Sequence, residues 1–456
     1  MKNKESKVLV SVIAVILVLL IATSGVTLKK YVNYSSENVT SQPSNSAETK
    51  AEKEEDDKMP SERKIRILAA NLSEKSGNEI TEEMLNKLDS DVLFSILENK
   101  DSITLENWHD YTGYTINAFM DALGTGESID KGNNGKDYFE LGFTGDINFT
   151  ETGYVMTHAK YMENGVLDCI DETFQNEMKS VDIMLINNEF PYTDRGTPTS
   201  GKKYTFHASP SYVHYLNDMG VDIVSLANNH TYDYGYESFV DTIATLNNAN
   251  IPFVGAGMNI DEASKPVTFI INGYKVAYLA SSGVESPIKT PVATEDSEGI
   301  MGSYDGGELL CEKIREAKKS CDIVIVYPHW GMENTTALTN AQKTNARKYI
   351  DAGATAVIGN HSHCLQGMEF YNGAPIIYSL GNFWFNTRDV YTGLLKLKFA
   401  GSDMEMTLVP GRQANSETHY LEDESERLSL YRKIESWEPY NKITIDDNGV
   451  IRERND

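Results

Sequence analysis

The chain has 456 residues, 67 of them acidic and 41 basic, so its formal net charge at pH 7 is −26. This length allows one large domain with additional segments attached to it. The negative charge repels polyanions at long range, and outside the extreme N-terminus no basic cluster could neutralise a phosphate backbone. Composition therefore argues against nucleic acid as a partner.

The mainly apolar stretch from Val8 to Val26 contains no charged residue, and three lysines precede it and two follow it. As a helix this run would extend roughly 28 Å, close to the thickness of a bilayer's hydrocarbon core. We therefore predict that residues 1–30 form a cytoplasmic N-terminus and a transmembrane signal anchor, with a single pass and the main domain outside the cytoplasm. A signal peptide cleaved near Ala22-Thr23-Ser24 is the alternative, although the run is long for one.

Composition divides the remainder of the chain. Residues 31–62 are rich in Ser, Asn, Glu and Lys, which predicts a disordered stalk. A small helical module is expected over residues 63–136, with Thr81 as a helix N-cap and a Gly- and Asn-rich linker, Asp130 to Asp137, at its end. The main domain is predicted over residues 137–410. Residues 411–456 are expected to be a C-terminal extension that packs on or follows this domain.

Short apolar runs alternate with helical patterns from Tyr138 onward. One predicted helix begins at Ser209-Pro210, and another carries Phe239, Ile243 and Leu246 on one face. This alternation predicts an α/β fold with a parallel or mixed sheet covered by helices. The candidate strands are Met184 to Ile186, Ile223-Val224, Val276 to Leu279, Ile323 to Val326, Ala356 to Ile358 and Ile376-Ile377.

The four cysteines are too few and too scattered for a disulfide framework. Cys311 and Cys321 flank a predicted helix, whose length holds them too far apart for a bond. We therefore expect four free, mostly buried thiols, the other two being Cys169 and Cys364.

Polar residues follow several of the predicted strands, where α/β folds usually carry their functional groups. Each has an ordinary alternative: Asp146 could cap a helix, Asn229 could occupy a left-handed turn, and a lone histidine is more often a core residue than a ligand. Their recurrence favours a metal or phosphate site, because carboxylate, amide and imidazole groups converging from several strands suit divalent cations. The residues concerned are Asp146, Glu189, Asn229, His230, His329, His361 and His363.

At these positions the chain resembles the CapA-type poly-γ-glutamate capsule synthesis proteins, which are similar to calcineurin-like metallophosphatases. The resemblance runs from about Gly142 to Phe385 and rests on several motifs in order. They are Gly145-Asp146, Asn188-Glu189 with Pro191, Leu226 to His230 with Asp233-Tyr234-Gly235, His329-Trp330-Gly331 with Glu333, His361 to Gly367, and Tyr378 to Phe383.

The resemblance implies a four-layer α/β/β/α metallophosphatase-like sandwich and a site holding divalent metal ions, manganese, iron or zinc and possibly two of them. By position, the implied metal ligands are Asp146, Glu189, Asn229, His329, His361 and His363, with Glu189 suited to bridge two ions. His230 takes the place of a general acid or phosphate contact, and Asp233 is its nearest candidate partner. The phosphatases usually carry a histidine where this chain has Asn148.

Two further regions receive expectations from the residues alone. Lys202, Lys203 and Arg195 follow Glu189 and could attract an anionic substrate, although exposed loop charges are usually only solvated. The long segment Ser281 to Gly307 is expected to be a lid or the edge of a binding site.

The leading hypothesis for function is an accessory protein of capsule or poly-γ-glutamate biosynthesis, attached to the membrane by one N-terminal helix. Its expected partners are membrane-bound poly-γ-glutamate synthase components and an anionic polymer or envelope substrate. The alternatives are an extracytoplasmic metal-dependent hydrolase of the phosphoesterase type, acting on an envelope component, and a non-catalytic binding module.

Overall fold

The computed structural model describes residues 59–440 and 442–454, which belong to one compact unit of the chain. The predicted anchor and almost all of the predicted stalk lie outside these residues. None of the helices within them combines the length and the apolar character that crossing a bilayer would require.

Thirteen α-helices are present in the described residues, together with 3-10 turns at Gly165–Cys169 and Pro210–Val213 and a π-helical turn at Asp121–Thr125. The α-helices are α1 (Glu62–Ser76), α2 (Glu82–Leu85), α3 (Ser90–Asn99), α4 (Trp108–Thr112), α5 (Ile116–Met120), α6 (Tyr154–Ala159), α7 (Glu172–Ser180), α8 (His214–Asp218), α9 (Gly235–Asn248), α10 (Ile260–Ser264), α11 (Glu308–Lys318), α12 (Asn340–Asp351) and α13 (Glu424–Ser436).

The strands form two large sheets and a two-stranded ribbon in this part of the chain. They are β1 (Ile129–Asp130), β2 (Phe139–Ile147), β3 (Ile183–Asn188), β4 (Ile223–Ser225), β5 (Phe253–Val254), β6 (Ala256–Gly257), β7 (Val267–Ile271), β8 (Tyr274–Ser282), β9 (Gly299–Ile300), β10 (Ile323–His329), β11 (Ala356–Ile358), β12 (Met368–Tyr371), β13 (Ala374–Ile377), β14 (Asn382–Trp384), β15 (Val390–Ala400), β16 (Asp403–Ala414), β17 (Glu417–Tyr420), β18 (Ile443–Ile445) and β19 (Val450–Glu453).

The first sheet has seven strands in the order β1-β7-β8-β10-β11-β13-β12. The second has ten, with the path β18-β19-β16-β15-β2-β3-β4-β5 and with β14 beside β2 and β17 beside β16. Strands β8, β10, β11 and β13 run parallel, as do β2, β3, β4 and β5. Each sheet therefore brings several carboxyl-terminal strand ends to one edge.

Successive side chains of a strand point to opposite faces of its sheet, so each sheet can pack on the other sheet with one face and on helices with the other. Phe143 of β2 and Tyr278 of β8 meet in the core between the two sheets, with ring centroids 6.4 Å apart. Met184 of β3 instead faces the core under α6, α7 and α9, and Val324 of β10 faces the core under α11 and α12. The order of layers is helices, sheet, sheet, helices, the order that the family resemblance implied.

The helices before β1 have their own apolar core. Ile65, Leu68 and Leu72 line the buried face of α1 at helical spacing, and Thr81 caps α2 by accepting a hydrogen bond from the backbone N–H of Met84, as predicted. The predicted linker, Asp130 to Asp137, does not begin as an irregular segment, because Asp130 lies in β1 and pairs with β7.

Two polar contacts, one buried and one partly buried, hold these helices against the amino-terminal ends of β8 and β10. Lys275 Nζ lies 2.7 Å from Asp121 Oδ1. Asp322 accepts hydrogen bonds from the side chains of Thr115 and Asn117. The helical module therefore occupies the opposite edge of this sheet from the carboxyl ends, where the site residues lie.

The C-terminal part of the chain belongs to the ten-stranded sheet. β15 and β16 pair antiparallel along their whole length, and β16 continues through the predicted boundary at residue 410. β17, β18 and β19 then extend the same sheet. Residues 411–440 and 442–454 therefore contribute strands and a helix to the main fold, and are not an addition packed on its surface.

Candidate metal centre

Strand ends from both sheets converge on one buried cluster. Asp146 lies near the end of β2 and Glu189 directly follows β3, both in the ten-stranded sheet. His329 ends β10, and His361 follows β11, both in the seven-stranded sheet. Because parallel strands place their carboxyl ends at one edge, the two sheets present these side chains to each other across their interface.

The cluster contains two overlapping sets of residues that could hold a metal ion. Glu189, His329 and His361 form one set, and Asp146, Glu189 and His363 form the other. In each set, one potential ligand atom per residue lies within 4.8 Å of those of the other members. Glu189 belongs to both, as a carboxylate bridging two ions must.

Asn229 joins the cluster through its side chain. Its Oδ1 lies 2.7 Å from Nε2 of His329. It is not among the described residues with positive φ, so the left-handed turn considered for it does not occur. All six residues expected to bind metal are thus brought together.

Asn187 orients the two carboxylates, a role that sequence reasoning missed. Its side-chain amide donates to Asp146 Oδ1 at 2.8 Å and to Glu189 Oε2 at 3.0 Å. Asn228 in turn donates to Asn187 Oδ1 at 3.0 Å. Both asparagines are fully buried, so these bonds set which carboxylate oxygens remain available for a ligand.

Two more asparagines orient histidines. Nδ1 of His329 is hydrogen bonded to Asn360 Oδ1, and Nδ1 of His363 lies 2.8 Å from Asn382 Oδ1. When Nδ1 carries the ring proton, the other nitrogen of each ring is free to bind a metal.

The backbone is constrained around the cluster. His361 and His363 have φ values of +94° and +56°, a backbone region that residues other than glycine rarely adopt. At Gly145 a Cβ atom would lie 1.7 Å from the carbonyl oxygen of Gly381, which accepts the hydrogen bond from the Asp146 N–H at 2.8 Å. Only glycine therefore allows β2 and the turn before β14 to approach so closely.

Burial and charge shift the protonation of these groups. Burial, together with the negative charge of Asp146, raises the pKa of Glu189 well above its ordinary value. Burial lowers the pKa of His329 and His361 well below the ordinary value, which leaves them neutral. Burial opposes a charge on His363 as well, but the Asp146 carboxylate, 3.3 Å away, outweighs it and raises the pKa of His363.

Among the described residues, no hydrogen-bond partner reaches three buried atoms of the cluster: Asp146 Oδ2, Glu189 Oε1 and His361 Nδ1. An unsatisfied buried acceptor costs about 1–3 kcal/mol, and more when it is charged. Cations held by the two ligand sets would satisfy atoms of this kind and would favour the ionised form of Glu189. Carboxylate, amide and imidazole donors also match the preferences of divalent transition metals, so the residues fit such an ion.

His230 and Asp233 form a pair beside the cluster. Nδ1 of His230 lies 2.6 Å from Asp233 Oδ2, and Nε2 lies 3.9 Å from Glu189 Oε1. The ring of Phe206 lies against the His230 imidazole, with centroids 4.2 Å apart. Nε2 of His230 is thus held close to the candidate metal ligands.

Lys202, considered in the sequence for attracting an anionic substrate or as an ordinary solvated loop charge, is not solvated. Its side chain is 2% exposed, and its Nζ lies 2.6 Å from Asp233 Oδ1 and 2.9 Å from Glu285 Oε2. It also donates to the backbone carbonyl of Asn229, which accepts a second hydrogen bond from Thr290 Oγ1 at 2.9 Å. Lys202 and Thr290 therefore tie the segment after β8 to the turn that carries Asn229 and His230.

Replacing Lys202 with methionine should lower the free energy of unfolding by about 3–5 kcal/mol, because Asp233 would keep a buried charge without its cation. Urea denaturation measures this effect. Lys203→Met is the matched control, since the neighbouring side chain is exposed and should change stability by no more than about 0.5 kcal/mol. Equal stability of the two variants would contradict the buried ion pair.

A cavity of about 770 Å³ opens beside this cluster and is lined in part by His230 and His363. Asn148, at the position where the phosphatases usually have a histidine, also lines it. Phe385 lines the wall and lies against His363, with ring centroids 4.7 Å apart. Trp330, in the motif that follows β10, stacks on Tyr349 in the core beneath the outer helices.

Asn187 offers a direct test of how the carboxylates are oriented. Asn187→Ala removes both amide hydrogen bonds and should lower metal affinity by about 10- to 100-fold, the usual cost of losing an outer contact to the ligands. Metal titration by calorimetry measures it. Asn176→Ala, at an exposed position of α7, should leave the affinity unchanged. An Asn187→Ala protein with wild-type affinity would show that the amide is not needed.

The profile of a family described as "Bacterial capsule synthesis protein PGA_cap" matches residues 140–387 of this chain, which include the whole cluster. The chain belongs to this family. The resemblance to CapA-type proteins noted in the sequence is thereby confirmed.

Two curated relatives carry the name CapA. The "PGA biosynthesis protein CapA" of Bacillus subtilis (strain 168) is 33% identical over 260 residues, which cover 56% of this chain and 66% of that protein. The "Capsule biosynthesis protein CapA" of Bacillus anthracis is 30% identical over 253 residues, covering 53% of this chain and 57% of that protein. The matches therefore span between about half and two thirds of the relatives' length.

Solved structures offer only distant likenesses. A hypothetical protein from Thermus thermophilus has a TM-score of 0.37 at 15% identity, covering 60% of this chain and 100% of that chain. A 5'-nucleotidase from Candida albicans has a TM-score of 0.31 at 14% identity, covering 56% of this chain and 47% of that chain. Scores below 0.5 do not establish a shared fold, so the site rests on its own geometry.

Proposed function

We propose that this PGA_cap protein is a membrane-attached accessory protein of poly-γ-glutamate capsule biosynthesis, and that its buried cluster is a metal-dependent hydrolytic centre of the metallophosphoesterase type. The observation that carries the proposal is Glu189, a buried carboxylate shared by two sets of metal-ligand residues. The names of the Bacillus relatives support the biological process.

The ligands in this proposal are Asp146, Glu189, Asn229, His329, His361 and His363, which would hold one or two divalent ions of manganese, iron or zinc. Such an ion, when bound, would supply Lewis acidity toward the bond to be cleaved. His230 would donate a proton to the leaving group through Nε2, while Asp233 holds the ring through Nδ1. Phe206 packs against the His230 ring and supports its position at the cavity.

The proposed partners are membrane-bound poly-γ-glutamate synthase components and the growing anionic polymer. We propose that residues 1–30 anchor the protein and place its main domain outside the cytoplasm. The net charge of −26 would repel a polyanion over most of the surface, so contact with the polymer requires a local cationic or metal-bearing patch.

Gene deletion with complementation tests the proposal. Deletion should abolish surface polymer, the wild-type gene should restore it, and a His361→Ala/His363→Ala copy should not. Protease added to intact complemented cells should release the main domain by cleavage near the stalk. Polymer that persists after deletion would contradict the capsule role, and cleavage only after lysis would contradict the proposed topology.

A second candidate function is hydrolysis of another envelope component, such as a phosphoester. The His230–Asp233 pair favours it, because a proton donor held at the wall of a cavity suits hydrolysis whatever the substrate is. Metal-dependent phosphoesterase activity of the purified protein, with surface polymer unchanged in the deletion strain, would support this alternative over the first.

A further inference from the structure

The cavity beside the cluster carries two cationic side chains on its wall. Of the residues that line it in the described part of the chain, Lys203 and Arg388 are the only lysine and arginine, and Glu333 is the only acid. They come from two separate segments, one after β3 and one after β14. The wall thus has an excess of positive charge in a protein whose net charge is −26.

Neither cation is neutralised by a partner in the part of the chain that the structure describes. No carboxylate lies within ion-pair distance of the Lys203 or Arg388 side chain among residues 59–440 and 442–454, and Lys203 Nζ instead lies over the ring of Tyr204, 4.8 Å from its centroid. Nearby cations behave differently: Lys202 pairs with Asp233, and Arg195 pairs with Asp241 at 2.7 Å. The two cations at the cavity are therefore available to an anionic ligand.

The segment that carries Lys203 is held by contacts to Asp233, the partner of His230. Lys202, on one side of it, is buried against Asp233. Phe206, on the other side, donates its backbone N–H to Asp233 Oδ2 at 2.7 Å. Lys203 therefore projects from a segment whose two anchors both hold the carboxylate that orients His230.

The backbone that carries Arg388 is fastened to a candidate metal ligand. Its N–H donates to Asn386 Oδ1 at 2.9 Å, and its carbonyl accepts from the buried amide of Gln413 at 2.9 Å. Asn382 connects this turn to the cluster, because it donates to Asn386 Oδ1 at 3.4 Å and its own Oδ1 lies 2.8 Å from Nδ1 of His363. The backbone of Arg388 is therefore held in place by hydrogen bonds, one of them from the buried Gln413 side chain.

We propose that Lys203 and Arg388 form an anion-binding wall that holds carboxylates of a γ-linked glutamate oligomer in this cavity, next to the bond presented to the metal centre. The choice of polymer rests on the proposed function. Lysine and arginine form charge-assisted hydrogen bonds with carboxylates, and the asparagines and threonines of the wall suit the amide groups between them. The volume of the cavity lies within the range of ordinary ligand sites and admits only a short stretch of a polymer.

Binding of a labelled γ-glutamate oligomer by fluorescence anisotropy tests the proposal on the full chain in detergent, with chelator present so that no metal-dependent turnover contributes. Lys203→Gln and Arg388→Gln should each weaken binding by about 10-fold, the expected size of one charge-assisted contact. The double variant should lose more than either single one, and added salt should weaken wild-type binding. A γ-linked glutamine oligomer of equal length should bind at least about 10-fold more weakly than the glutamate oligomer.

Lys319→Gln/Arg432→Gln is the matched control, because it removes the same two charges from exposed positions outside the cavity and should bind like wild type. The proposal would be overturned if the wild type showed no detectable binding, or if the control variant lost as much affinity as the double variant. Equal affinity of the wild type for the glutamate and glutamine oligomers would also overturn it. Tighter binding of a glycerol phosphate oligomer would overturn the choice of a polycarboxylate. Binding that follows the expected pattern in a protein without hydrolytic activity or capsule phenotype would contradict the proposed function and leave this inference standing.

Discussion

His361→Ala/His363→Ala should lower metal affinity by at least about 100-fold, more than the loss of an outer contact costs, because each of the two ligand sets loses one member. In the wild type, metal at 100 times its Kd should raise the free energy of unfolding by about 2.7 kcal/mol, and the variant should show little of this gain. Elemental analysis and thermal unfolding measure the two effects.

The control for this pair is His214→Ala/His419→Ala, which removes two imidazoles whose side chains are 56% and 54% exposed and which lie outside both ligand sets. It should retain wild-type metal content and stabilisation. If the site variant keeps the full metal stoichiometry, the assigned ligands are wrong.

His230→Ala should reduce turnover by about 100- to 10,000-fold while leaving metal content intact, because the proposed general acid is lost and no residue of the two ligand sets is changed. The expected substrate is a phosphoester or the capsule polymer. Asp233→Asn should have a smaller effect of the same kind, since it disturbs the partner of Nδ1 without removing the ring.

Steady-state kinetics and metal analysis on the same preparations distinguish the role of His230 from a structural one. A general acid affects kcat more than KM, whereas a misfolded site would lose metal as well. His214→Ala should leave kcat unchanged. Wild-type turnover by His230→Ala would refute the assignment.

Much of the fold could be predicted because its signals are local. The apolar runs at β3, β4, β8, β10, β11 and β13 and the helical spacing in α9 are visible in the chain, and the structure confirms each of them. The four cysteines are free, as expected. The hairpin of β15 and β16 was missed although Leu395, Leu397 and Phe399 alternate with lysines, the ordinary signature of a half-buried strand.

The partners of the site residues were harder to predict, because they depend on contacts distant in sequence. Lys202 meets Glu285 only in the folded protein, and a lysine in a polar loop has no local signal of burial. Asn187 and Asn360 look like ordinary turn residues. Their one available signal was repetition, since asparagine stands within two residues of four candidate ligands, Asp146, Glu189, Asn229 and His361.

The candidate ligands are divided between the sheets, with Asp146 and Glu189 on one and His329 and His361 on the other. Neither sheet alone carries a full set, so a high-affinity site can exist only after the sandwich has closed. An ion bound by ligands from both sheets would stabilise the packing of one sheet on the other. Metal uptake would then be a late event of maturation that reports correct assembly of the domain.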